Sequence, residues 1–295
     1  MQRSRRKERW GTAHAATLAG LVALAVVVGW GAWRDIAWYA LRDPEQSHVL
    51  LALPLAAWMF WLRRRRLRYA RPGASWWGLG VIAAAAGIGW LGYATATDVL
   101  WHLGALGLVL GAVVAALGPR FVMLFRPALL ALVFLIPVPG LIRQQVSLPL
   151  QRMSAHAAEF VFDVFAVPAS RAGNSLSING VDVTVAEACN GMRMVTALAV
   201  VAFAFIFSTT MRPGVRLLIL AVTPFAALLV NVARLVPTVL MYGYAEHDAA
   251  ELFHDVSGWL GLLLAFGIFW AFMGLLRWLE VPVQTYAVRE AGVAA

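Results

Sequence analysis

The stretch Val185-Ala-Glu-Ala-Cys-Asn-Gly-Met-Arg-Met194 runs straight into an apolar segment that ends at Phe207. A polar approach thus turns into a helix fit for a membrane, and Cys189 stands at the turn. It is the only cysteine in 295 residues. No internal disulfide can form, and no thiolate cluster can hold a metal. A lone thiol is then a small buried hydrophobe or a nucleophile. The expected position, at the start of a helix, favours the nucleophile. The first turn leaves backbone N–H groups unpaired at the positive end of the dipole, which lowers a thiol pKa. Arg193 follows one turn later on the same face and adds a cation.

Composition places the chain in a bilayer. Hydrophobic residues make up 61% and charged residues 13%, against about 25% charged in soluble domains. Mean hydropathy is +0.75. The net charge of +9 does not point to nucleic acid, because the basic residues fall in short clusters between apolar runs. Crossing the hydrocarbon takes about 20 apolar residues. Candidate spans lie at 13–33, 48–62, 76–96, 99–117, 121–137, 190–208, 215–236 and 256–277. With the N-terminus inside, this count puts most of the 24 basic residues in the cytoplasm, the cluster at 63–71 among them. The basic start and first apolar run resemble a signal peptide. No small-residue cleavage site follows, and Trp30-Gly-Ala-Trp33 reads as an interfacial anchor, so the first span is expected to be retained. Both termini are then cytoplasmic.

One long external insert is expected at 139–188. Over 141–165, Ile142, Val146, Leu150, Met153, Ala157, Phe160, Val161 and Val164 recur at helical spacing between polar residues. That predicts an amphipathic helix on the outer surface, acting as a lid over a docked substrate or as plain packing. Arg171-Ala-Gly-Asn174 is a turn signal. Alternation on both sides of Asn179-Gly180 predicts a β-hairpin that delivers the chain to Glu187-Ala-Cys189. The expected fold is an all-α integral membrane protein of about eight transmembrane helices. It forms one polytopic domain over 1–295, with the amphipathic helix and short hairpin between the fifth and sixth spans.

Two more polar groups reach the same expected depth. The seventh span ends in Asn231-Val-Ala-Arg234, ahead of Pro237. An arginine inside an apolar helix marks function, or else snorkels to the interface or pairs with Glu187. The eighth span opens after Phe253-His-Asp-Val-Ser-Gly-Trp259, which sets His254 at its outer mouth. The spacing His247-x3-Glu251-x2-His254 also fits a zinc triad on a helix.

Cys189-Asn-Gly-Met-Arg193 after Glu187, Asn231-x-x-Arg234 and His254-Asp255 resemble the three signatures of the exosortase/archaeosortase family. Arg171-Ala-Gly-Asn174, Pro137-Val-Pro139 and Ser47-His48 are similar to further family features. Asn190 stands where family members commonly carry serine.

The resemblance implies a membrane cysteine protease-transpeptidase with its motifs in 189–260. Cys189, Arg234 and His254 would be the catalytic set, with Glu187, Asn190, Arg193, Asn231 and Asp255 supporting them. Its partners would be exported proteins with a C-terminal tripartite sorting signal, of which Pro-Glu-Pro is the best-known kind. The site would face outward from a bacterial inner membrane. A glycan or lipid acceptor fits that chemistry, and no cofactor, metal or nucleic acid is implied. A transporter, or a non-catalytic assembly factor for exopolysaccharide export, is the competing class. It would tolerate Cys189→Ala.

Overall fold

The computed structural model describes residues 11–70, 73–185, 191–208, 211–279 and 281. The chain divides into two compact units, Met1–Arg143 and Gln144–Ala295. It is mostly helical, with one small sheet.

The first unit contains α1 (Thr12–Val28), α2 (Trp30–Arg42), α3 (Val49–Leu62), α4 (Trp77–Ala94), α5 (Asp98–Leu117) and α6 (Pro119–Ala131). Close approach organises it. A Cβ on Gly104 of α5 would collide with the Gly89 backbone of α4, and one on Gly92 would collide with the Trp101 backbone nitrogen. Small residues at these positions let two apolar helices meet backbone to backbone, the packing that works where lipid removes any hydrophobic drive. One buried polar pair accompanies them. His102 Nε2 of α5 lies 2.8 Å from Asp35 Oδ2 of α2, and His102 stacks on Trp101.

The second unit holds most of α7 (Gly140–Val164), then β1 (Ala169–Ala172), β2 (Ser175–Ile178), β3 (Val181–Thr184), α8 (Gly191–Ser208), α9 (Pro213–Tyr244) and α10 (His247–Trp278). The strands form an antiparallel meander, with Leu176 opposite Val183 and Ile178 opposite Val181. Asn179 and Gly180 have φ of +50° and +78°, both left-handed as a two-residue hairpin turn requires. Asn179 Nδ2 also donates to the Gly243 carbonyl at 2.9 Å, which pins the hairpin to the last turn of α9.

Several expectations are corrected. Among the described residues, four helices are long and apolar enough to cross a membrane: α4, α5, α9 and α10. The number rises to six if α1 with α2, and α6 with α7, each count as one bent span. The expected eight included α3, whose 14 residues extend about 21 Å against the ~30 Å of hydrocarbon. The first span does not continue to residue 33. It ends at Gly29 and bends by 77° into α2, whose buried Ala32, Ile36 and Ala40 recur every fourth residue as in an amphipathic helix.

The hairpin gains a third strand. Arg171 and Ala172 lie in β1, and the turn is confined to Gly173 and Asn174. The helix expected over 141–165 is α7, with its faces arranged otherwise. Ser147, Gln151, Ser154, Ala155, Ala158 and Phe162 are buried, while Ile142, Val146, Met153, Phe160 and Val164 point outward. Burial follows the small and polar stripe because lipid lets the apolar stripe stay outside.

Candidate functional site

α9 runs through two apolar clusters. Its first half contributes Val215, Ile219, Ala226, Ala227 and Val230 to a cluster with α8 and α10. Its second half sets Leu235 and Val239 against Ala158 and Phe162 of α7 and Leu176 and Ile178 of the sheet. Between Val230 and Leu235 come Asn231 and Arg234. A polar layer therefore separates the clusters.

Each side chain in that layer has a definite hold. Asn231 is fully buried, and its Nδ2 donates to Ser154 Oγ of α7 at 2.7 Å. Its Oδ1 is buried with no hydrogen-bond partner among the described residues. Arg234 is 9% exposed and donates from Nε to Ser257 Oγ of α10 at 3.2 Å. Ser257 Oγ in turn donates to the His254 carbonyl at 2.8 Å. Thr238 Oγ1 donates back to the Arg234 carbonyl at 2.7 Å. No carboxylate among the described residues pairs with Arg234. On α7, Gln151 donates to Ser147 Oγ at 2.7 Å and accepts from Asn174 Nδ2 at 3.1 Å. That contact ties the β1–β2 turn to the same helix face.

Arg234 and His254 were expected at helix ends. Both lie inside helices. Arg234 sits about 15 Å short of the α9 end at Tyr244, and His254 about 10 Å beyond the α10 start at His247. Pro237 does not stop α9, and the polar run 247–257 is already helical rather than a mouth. A 32-residue helix extends about 48 Å, well past the ~30 Å of hydrocarbon. Because the two helices join through only Ala245 and Glu246, both residues fall at similar depth near the connected end.

The His254 side chain is 28% exposed, and its Nδ1 is 3.4 Å from Asp255 Oδ1. Asp255 itself is 84% exposed. His247 Nε2 pairs with Glu251 Oε1 at 3.2 Å. Among the described residues no three His, Cys, Asp or Glu side chains gather into a metal site, so the His247, Glu251 and His254 spacing does not close into a triad.

Cys189, Glu187 and Asn190 lie outside the described residues. Arg193 falls in the first turn of α8, and its side chain is likewise not described. The structure thus brings together Asn231, Arg234 and the His254 turn. It adds Ser154, Ser257 and Thr238, which sequence reasoning missed. Ser257 follows His254 by one helical turn and so shares its face; that spacing was the available signal.

Beside this layer, Arg171 Nε donates to Glu159 Oε2 at 2.6 Å and Nη1 to the Gly173 carbonyl at 2.9 Å. His156 Nδ1 is 3.2 Å from the same carboxylate. These two partners, Arg171 first, hold the Glu159 carboxyl below the usual carboxylate range.

A family model described as transmembrane exosortase matches residues 33–271. The chain belongs to that family. Comparisons with curated proteins and with solved structures find no match. The exosortase match begins inside α2 and ends inside α10, so it takes in the insert, the polar layer and all three motifs.

Proposed function

We propose that this exosortase is a cysteine protease-transpeptidase that cleaves C-terminal sorting signals of exported proteins at the outer face of a bacterial inner membrane. The observation that carries the reading is Arg234: a buried cation with no carboxylate among the described residues, oriented through Ser257 onto the turn that bears His254. Fixed charge in a poorly hydrated site stabilises a developing anion more than it would in water.

The chemistry follows from the groups. The Cys189 thiolate attacks the scissile carbonyl carbon, and the carbonyl electron pair moves to oxygen, facing Arg234. Collapse restores the carbonyl as a thioester and breaks the C–N bond, with His254 giving the leaving amine its proton. An acceptor then attacks the thioester, His254 takes its proton, and the thiolate leaves. Asn231 Oδ1 is free to accept a hydrogen bond from the substrate backbone. The outward apolar stripe of α7 suits a helix resting on the lipid surface, where a substrate entering from the bilayer would pass beneath it.

The test is processing of a co-expressed protein that ends in a motif, an apolar helix and a basic cluster. Cys189→Ala should leave it unprocessed on a gel. Normal processing by that variant removes the reading.

A further inference from the structure

The first unit has an apolar groove, remote in the chain from the residues above. Leu18 of α1, Phe60 of α3, Leu117 of α5, Phe121 and Leu129 of the α6 segment, and Leu67 line it. Its volume is about 420 Å³, and its lining is wholly apolar. That size matches small-molecule sites of about 300–1,000 Å³ and not a folded partner.

Leu67 belongs to a 3-10 turn, Arg64–Tyr69, that follows α3. The turn sends Leu67 toward the groove and leaves Arg64, Arg65, Arg66 and Arg68 exposed. Arg120, next to the lining residue Phe121, is exposed too. Arg66 Nη1 donates to the Leu124 carbonyl of α6 at 3.3 Å, so the basic turn is fastened to the helix that carries Phe121 and Leu129. None of these five arginines meets a carboxylate among the described residues. The sequence explains why. From 47 to 158 the only acidic residue is Asp98, at the far end of α5, about 30 Å away along that helix.

Aromatic side chains mark the membrane level here. Arg64 lies 4.1 Å over the Trp61 ring and Arg68 4.9 Å over the Tyr69 ring. Trp76 and Trp77 are both largely exposed at the start of α4. Such a belt sits at the headgroup layer. An open apolar groove therefore adjoins, through Leu67 and Phe121, exposed arginines that meet no carboxylate among the described residues, with aromatic residues of the headgroup layer beside them.

We propose that this groove binds an anionic phospholipid, with one acyl chain among Leu18, Phe60, Leu117 and Leu129 and the phosphate on the rim of Arg64, Arg65, Arg68 and Arg120. Charge selects the class. A zwitterionic headgroup would bring its own cation against the rim, while an anionic one supplies the missing counter-charge.

The test uses the full chain, purified in mild detergent and stripped of lipid. Phosphatidylglycerol and phosphatidylcholine with identical chains are added back, and bound lipid is counted by native mass spectrometry. The wild type should prefer phosphatidylglycerol by about tenfold or more. Equal retention of the two lipids overturns the proposal without any variant. Arg65→Gln with Arg68→Gln should still hold lipid but lose the preference. Leu129→Trp, which fills the groove and keeps every charge, should lose lipid of both kinds. A preference that survives the arginine changes overturns the site. So does one that survives Leu129→Trp, since attraction to surface charge alone would then explain it.

Discussion

Two helix pairs, one in each unit, are built on different rules. α4 and α5 meet at Gly89, Gly92 and Gly104, with backbone against backbone. The buried His102 Nε2 of α5 has a carboxylate, that of Asp35, at 2.8 Å. α9 and α10 instead enclose Asn231, Arg234 and Ser257, and Arg234 has a hydroxyl partner but no carboxylate among the described residues. An arginine at membrane depth costs on the order of 2.5–3.5 kcal/mol on insertion scales. The first pair is joined by close backbone approach and sets His102 Nε2 against a carboxylate, although His102 Nδ1 is buried with no hydrogen-bond partner among the described residues. The second holds a buried cation with no carboxylate, and a buried amide oxygen with no hydrogen-bond partner, among the described residues.

The sharpest way to break this contrast is through the second pair. Cys189→Ala, Cys189→Ser and Arg234→Lys should each lower processing by about 10³-fold or more while folded protein still reaches the membrane. Serine has no lowered pKa to exploit, and lysine cannot reproduce a planar fork whose Nε is held by Ser257. Cleavage of a co-expressed substrate, scored on a gel against membrane protein level, measures this. The matching change in the first pair is Gly104→Leu. It should leave no processing defect per folded molecule but destabilise the protein by about 1–3 kcal/mol, because the added side chain meets the Gly89 backbone. Thermal unfolding in detergent reads that loss. A Gly104→Leu protein of normal stability would mean that the close approach is not what joins α4 to α5.

Ser257 sharpens the comparison from inside the site. It connects Arg234 to the His254 turn through two hydrogen bonds. Ser257→Ala should lower the turnover rate by about tenfold to a hundredfold, the worth of a hydrogen bond to a charged group. Stability should change little, and Ser257→Thr should restore the rate because it returns the hydroxyl. Failure of that rescue would leave Ser257 as packing alone.

Legibility in the sequence followed the same divide. Asn179-Gly180 announced its turn because few residues accept two left-handed positions in succession, and the structure has both. The period of 141–165 announced a helix correctly. It did not tell which stripe is buried, since in a bilayer an apolar face has two places to go. Pro237 reads as a stop, yet α9 passes through it, because neighbouring helices can make good the lost backbone bond. That misplaced the helix ends around Arg234 and His254. The Gly29 break was hidden within apolar sequence that continues to Trp33. Ser154 and Ser257 stayed invisible because a lone serine carries no periodic signal, and only the fold shows what each hydroxyl faces.

The smallest expected effect concerns the clamp between α7 and β1, on the part of the chain outside the spanning helices. Arg171 and His156 both act on Glu159 and hold its carboxyl below the ordinary range of about 4.3. A depressed carboxylate contributes stability that is fully present above its unfolded pKa. That contribution is lost as pH falls through the folded value. The clamp should therefore be intact at neutral pH and should loosen only under acid conditions, below the ordinary Glu range. Glu159→Gln should remove this part of the acid dependence and leave the neutral-pH rate nearly unchanged. The partners are largely solvated, so the effect should be small and weaker at high salt. Amide exchange over 169–178, compared between the wild type and Glu159→Gln across an acid series, isolates it. If both proteins lose protection in parallel as pH falls, Glu159 is not the group that titrates, and the meander is held by Leu176, Ile178 and Val183 against α7 and α9 alone.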